Sequence, residues 1–120
     1  MSFRKLLNRI EIGKSKEIHA RRYLEKQGLK FVESNFHTRF GEIDIVMFEP
    51  IQQIFVFVEV RYRSSKVYGG AAASVNITKQ TKLKKAALFY LAERKISLGC
   101  RFDVIAIEGK NTNWIPNAFI

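Results

Sequence analysis

Apolar positions along the chain switch between helical and strand-like spacing. From Lys14 to Gln27, the residues Ala20, Tyr23, Leu24 and Gln27 share one helical face, and Gly28 follows as a stop. Phe31 to Phe40 alternates weakly, which predicts a first strand, and Gly41 turns the chain. Ile43-Asp44-Ile45-Val46-Met47 predicts a second strand, and Pro50 ends that region. Ile54 to Arg63 predicts a third, whose opening residues are apolar on both faces, as in a strand covered from both sides. Helical spacing returns from Asn76 to Arg94, with Leu83, Ala86, Ala87 and Tyr90 on one face. Arg101 to Glu108 predicts a fourth strand, and Thr112 to Ile115 a short fifth.

The predicted order is therefore α-β-β-β-α-β. A helix between the third and fourth strands implies a crossover and hence a parallel pair. The expected class is α/β, with a mixed central sheet flanked by helices. No internal repeat, low-complexity stretch or Pro/Gly/Ser-rich linker divides the chain. Residues 1–12 read as a loose basic arm before a single domain at 13–120, with a loop from Ser64 to Ser74 that contains Gly69-Gly70.

A chain of 120 residues fits one domain with one core. Cys100 is its only cysteine, which excludes an internal disulfide and fits a reducing compartment, and Cys100 reads as a small apolar residue beside a strand. The basic N-terminal stretch lacks the apolar run of a signal peptide. The longest apolar stretch, Ile54-Phe55-Val56-Phe57-Val58, is far too short to span a bilayer. A cytoplasmic location away from membranes is expected. The formal net charge of +10 favours a polyanionic partner, nucleic acid before an anionic membrane surface.

Two acids interrupt this apolar pattern. Side chains alternate across a strand, so Phe55, Phe57, Glu59, Arg61 and Arg63 share one face of the third strand. Glu59 thus continues a face that begins as aromatic core, where a carboxylate is costly unless paired or bound to a cation. Asp44 sits inside the second strand, on the face of Glu42 and Val46 and opposite Ile43, Ile45 and Met47. Asp44 and Glu59 on neighbouring strands would converge at one end of the sheet and suit Mg²⁺ or Mn²⁺. An ion pair of Glu59 with Arg61 or Arg63 is the competing reading. Glu17 borders the apolar stripe of the first helix and Lys79 heads that of the second, so both charges are candidates to face the sheet. Their ordinary alternatives are a favourable helix-dipole position for Glu17 and a snorkelling amine for Lys79.

Several blocks resemble a family. Gly13-Lys14-Ser15-Lys16-Glu17-Ile18-His19-Ala20 with Tyr23-Leu24 is similar to its opening helix, Gly41-Glu42-Ile43-Asp44-Ile45-Val46 to its second strand, and Phe57-Val58-Glu59-Val60-Arg61-Tyr62-Arg63 to its third. Lys79-Gln80, Arg101-Phe102-Asp103-Val104-Ile105, Trp114 and Asn117-Ala118-Phe119 complete the likeness. This is the pattern of the YraN-like family of small bacterial proteins, which is similar in turn to the restriction-endonuclease-like superfamily with the PD-(D/E)xK motif, archaeal Holliday-junction resolvases included. The resemblance implies a restriction-endonuclease-like mixed sheet and an acidic metal site. Asp44 would be the first acid, Glu59 the second, Glu17 the helical acid, and the carbonyl of Val60 a further metal ligand. Arg61 stands where the motif has lysine. Arginine stays protonated and cannot act as a base, although it can stabilise a charged phosphate. Lys79 is the candidate to fill that role. Related resolvases act as symmetric dimers, so the resemblance also admits a homodimer.

Gly69-Gly70 lacks the Lys-Ser/Thr of a phosphate loop. Arg39, Tyr62, Arg63 and Lys66 are candidates to line a nucleic-acid cleft, or a merely solvated loop. Lys82, Lys84 and Lys85 fall off the apolar stripe of the second helix and form a basic outer surface. His19 and His37 lack zinc-ligand spacing, Asn76-Ile77-Thr78 matches a glycosylation acceptor that a cytosolic protein would not use, and Asp103 suits a structural role. The expected function is a Mg²⁺- or Mn²⁺-dependent, endonuclease-like phosphodiesterase acting on nucleic acid, DNA before RNA. The alternatives are a binding module with a degenerate site and a basic protein that docks an acidic partner.

Overall fold

In the computed structural model, residues 2–63 and 74–119 are described. The elements run α1 (Phe3–Lys26), β1 (Lys30–Thr38), β2 (Gly41–Glu49), β3 (Ile54–Arg63), α2 (Ile77–Glu93), β4 (Cys100–Glu108) and β5 (Asn111–Phe119). The five strands form one sheet in sequence order, β1-β2-β3-β4-β5. All neighbours are antiparallel except β3 and β4, which run parallel because α2 carries the chain back. The class is α/β, a mixed sheet with two helices.

Alternation explains the two covered faces. Val56 and Val58 of β3, with Ile45 and Met47 of β2 and Ile105 and Ile107 of β4, pack beneath Ala20 and Leu24 of α1. Phe57 of β3, with Ile43 and Val46 of β2, packs beneath Ala86, Ala87 and Tyr90 of α2. Each such Val, Leu, Ile, Met or Phe side chain contributes about 1.5–3 kcal/mol of burial. The central strand is therefore apolar on both sides, as its sequence predicts.

The N-terminal arm is a correction. α1 begins at Phe3 rather than Lys14, with the Ser2 hydroxyl accepting the Lys5 N–H at 3.2 Å as a cap. Phe3, Leu6 and Ile10 lead at alternating spacings of three and four into Gly13, Glu17, Ala20 and Leu24, one continuous seam. Only Ala20 and Leu24 of α1 are buried, so the first half of the seam is helical but uncovered. A second difference is that β5 continues past Ile115 through Pro116 to Phe119. Proline lacks a donor, yet an edge strand has one unpaired side and tolerates it.

Asp103 secures that edge. It is fully buried and accepts from Arg101 Nε at 3.0 Å, Trp114 Nε1 at 2.9 Å and the Asn117 N–H at 2.9 Å. The bonds from Trp114 and Asn117 tie β5 to β4 where the pairing register shifts between Phe102 and Val104. The structural role expected of Asp103 is the one it plays. Cys100, expected beside a strand, is the exposed first residue of β4. No helix among the described residues is long and apolar enough to cross a membrane.

Candidate active site

The antiparallel pairing of β2 with β3 runs from Glu49↔Ile54 to Ile45↔Val58 and stops there. Beyond that point β2 rotates. Ile45 and Met47 face α1, but Ile43 faces α2 together with Val46, which breaks the strict alternation expected for this strand. At the fork, Oδ2 of Asp44 accepts the Val60 N–H at 2.8 Å. A side-chain carboxylate thus bridges the two strands where their ladder ends.

Glu59 lies one residue before Val60 and is only 4% exposed. Alternation puts it on the α2 side, where Lys79 Nζ stands 3.5 Å from Oε2. Arg61 Nε is 3.9 Å from Oε1 on the same strand face. Arg63, the other expected partner, turns away and donates to the Tyr62 carbonyl at 2.9 Å. The Glu59 carboxyl is pushed up to about 8, first by burial, then by a hydrogen bond to Asp44 and by the Asp44 charge, against the pull of Lys79 and Arg61. The two acids thus meet. Glu59 Oε2 and Arg61 Nε are both buried without a hydrogen-bond partner.

Glu17 approaches from the other helix. Its place in the α1 seam, between Gly13 and Ala20, turns it toward the sheet. Asn35 on β1 donates a hydrogen bond to it. Burial, then the Asp44 charge, pushes its carboxyl up to about 7, with Glu42 adding to the shift and Asn35 and Lys14 opposing it. A cavity of about 200 Å³ beside it is walled by Lys14, Arg21, Phe31, Asn35 and Ile45. Asn35 was not foreseen as a site residue. Its left-handed backbone, φ 55°, suits Asn, but nothing in the sequence signals its bond to Glu17.

Among the described residues, no three His, Cys, Asp or Glu side chains converge as a metal-binding cluster. The acids come as the pair Asp44–Glu59, with Glu17 coupled to Asp44 by charge. Magnesium is commonly held by one or two carboxylates, the remaining positions going to water and substrate phosphates. The pair fits that demand. A divalent cation at Asp44 and Glu59 would favour the ionised form of the buried Glu59 carboxyl, which burial and Asp44 oppose. Val60 reaches Asp44 through its N–H, whereas the resemblance assigns the metal contact to its carbonyl.

The basic residues expected around one cleft do not form a single lining. Arg39 lies exposed at the β1–β2 turn with its guanidinium 4.9 Å over the Phe40 ring. Lys82 packs against Gly41, where an added Cβ would stand 3.3 Å from its own. Tyr62 instead packs beneath α1 with Lys16 Nζ 4.7 Å over its ring, and Arg63 ends β3. Alternating strand faces separate Tyr62 from its neighbours. Lys66 and Gly69-Gly70 lie outside the described residues.

Fold and site together define an α/β protein with a paired-acid corner at a strand fork, flanked by a helical amine and a helical acid. The chain belongs to the family described as "Uncharacterised protein family UPF0102", which it matches over residues 16–107. It is 47% identical over 116 residues to the UPF0102 protein Ent638_3585 of Enterobacter sp. (strain 638), covering 94% of this chain and 87% of that one. It is 51% identical over 111 residues to a UPF0102 protein of Serratia proteamaculans (strain 568), covering 90% and 93%. It is 50% identical over 112 residues to the UPF0102 protein YraN of Escherichia fergusonii, covering 91% and 84%.

Proposed function

We propose that the protein is a nucleic-acid-binding phosphodiesterase of the endonuclease type, dependent on Mg²⁺ or Mn²⁺, working in the cytoplasm on DNA in preference to RNA. The observation that carries this reading is the corner where Asp44, bonded to the Val60 N–H at 2.8 Å, stands next to buried Glu59 with Lys79 3.5 Å from it, in a protein of net charge +10. Two acids in contact are unfavourable for folding alone and useful for holding a cation. Asp44 and Glu59 would hold the metal, with the Val60 carbonyl as a further ligand by resemblance. When bound, such a cation supplies Lewis acidity toward a phosphate oxygen and acidifies a water.

The chain's own groups have separable tasks. Val60 fixes Asp44 in place through its N–H. Lys79, beside Glu59, is placed to hold charge on the scissile phosphate or to orient the attacking water. Arg61, as a guanidinium, is limited to stabilising negative charge. Glu17, held by Asn35, is positioned to accept a proton from water near Asp44. Arg39, Lys82 and Arg63 serve phosphate contacts that position the substrate.

Incubation of the purified protein with Mg²⁺ or Mn²⁺ and single-stranded, duplex and branched substrates tests the reading. Cleavage that disappears in Asp44→Ala supports it. Cleavage equal in wild type and Asp44→Ala, or none on any substrate, overturns it. The second reading, a binding module without chemistry, rests on Arg61 at the lysine position, and predicts salt-sensitive binding that Asp44→Ala leaves intact or improves.

A further inference from the structure

The basic face of α2 continues away from the acid pair. Lys79, beside Glu59, is followed by Lys82, Lys85 and Phe89 at spacings of three, three and four, which is one flank of a helix. That flank lies over the β1–β2 turn, since Lys82 meets Gly41 and Phe89 meets Phe40 with ring centroids 6.3 Å apart. At its outer end a shallow hollow is lined by Arg39, Phe40, Lys85, Leu88 and Phe89. None of these is acidic.

Phe89 is an unusual residue to leave outside. It is 39% exposed, and its neighbour Leu88 is 67% exposed. Its ring is nevertheless supported from behind. Phe36 stands 6.4 Å from it, and Phe36 in turn meets buried Tyr90 edge-on at 4.9 Å. Arg94 covers Phe36 at 4.7 Å. The ring is therefore braced by the core while part of it faces water, among cations. Aromatic rings interleaved with positive charge fit unstacked bases joined by phosphates. A duplex hides its base faces and gains only the phosphate contacts.

We propose that Phe89 and Phe40, with Arg39, Lys82 and Lys85, form a track for a single-stranded nucleic-acid segment that leads along α2 to Lys79 and the Asp44–Glu59 pair. The substrate class is then a nucleic acid with an unpaired tail, flap or branch arm. This rests on the nucleic-acid reading above, but the track is testable without any cleavage.

Anisotropy with a labelled oligothymidylate of about 15 nucleotides, and with a blunt duplex of equal length, is measured in EDTA. The single strand is expected to bind more tightly. Phe89→Ala is expected to weaken single-strand binding about tenfold and leave duplex binding unchanged, and Phe89→Tyr to restore it. Arg39→Ala with Lys85→Ala, at exposed positions that leave the core untouched, is expected to lower the slope of log affinity against log salt by about 1.4. Equal affinity of Phe89→Ala and wild type for the single strand overturns the track, as does tighter binding of the duplex. Should Phe89→Ala fail to fold, an unchanged salt slope in the Arg39/Lys85 variant overturns it instead. Loss of cleavage in Asp44→Ala alone reports on the acid pair, so the two readings fail separately.

Discussion

The Val60 N–H and the Asp44 carboxylate are joined at 2.8 Å across the place where β2 and β3 part. The bond holds the acid against Glu59 instead of letting it swing to solvent. Asp44→Ala leaves that N–H without its acceptor, which costs about 1–3 kcal/mol in a part-buried setting. We expect urea unfolding to show this loss most clearly at pH 5. At pH 9 the deficit should shrink, because the substitution also removes a charge that repels Glu59.

Stability without metal should fall as pH rises. The folded Glu59 carboxyl titrates at about 8 and Glu17 at about 7, against 4.5 for an ordinary glutamate. Between 4.5 and those values the folded chain keeps protons that the unfolded chain releases. The contribution is complete below 4.5 and is lost as pH climbs through 7 and 8. We expect Glu59→Gln to flatten this slope and to melt several degrees above wild type at pH 9, where each kcal/mol is worth roughly 4 °C. A wild-type melting temperature that climbs from pH 5 to pH 9 would contradict the buried acid pair.

A divalent cation should reverse that trend. Mn²⁺ at about one hundred times its Kd adds about 2.7 kcal/mol to the folded state. The gain should be large at pH 8, where the acids can give up their proton, and small at pH 5. It should vanish in Asp44→Asn. Calorimetric melts with and without Mn²⁺, at both pH values, measure it.

Lys79 and Arg61 should differ in cleavage. Lys79 is the nearer cation to Glu59, at 3.5 Å against 3.9 Å. We expect Lys79→Ala to lower the cleavage rate by at least tenfold, about 1.4 kcal/mol of barrier. Arg61→Lys should stay within a few-fold of wild type, since it keeps the charge that arginine supplies. A larger loss in Arg61→Lys than in Lys79→Ala would exchange the two roles.

Asp103 should matter for the sheet edge alone. Asp103→Ala strips a buried acceptor from Arg101, Trp114 and Asn117 and leaves an unpaired arginine. The expected loss is about 3–5 kcal/mol. Trp114, the only tryptophan, should shift its emission to the red as β5 loosens, before the rest of the domain unfolds. A mutant as stable as wild type, with unchanged emission, would remove the edge-fastening role.

The strands that carry the acids were legible because alternation is a local property. Phe55, Phe57 and Glu59 share a face whatever the tertiary structure does, so a carboxylate at the end of an aromatic row stood out. The rotation of β2 between Ile43 and Ile45 was not legible. It arises where β3 ceases to pair, and no residue type marks the point. The length of α1 was missed for a different reason. Phe3, Leu6 and Ile10 have helical spacing, but a search for a buried stripe passes over one that nothing covers. β5 runs on past Ile115 through Pro116 because an edge strand tolerates a residue without a donor. Tyr62 does not join Arg63 in the expected cleft, because neighbouring residues on a strand face opposite layers and Tyr62 packs beneath α1.

Asp44 and Glu59 belong to successive strands joined by a short turn, and among the described residues the hydrogen bond that orients Asp44 lies within that hairpin. Opening the chain in a circular permutant between β4 and β5 would therefore leave the acids in register, while a swap of the hairpin alone would transplant them together. The corner behaves as a portable cassette: the placing of its two acids travels with one contiguous segment, while the amine from α2 and the acid from α1 must be found again in a new host.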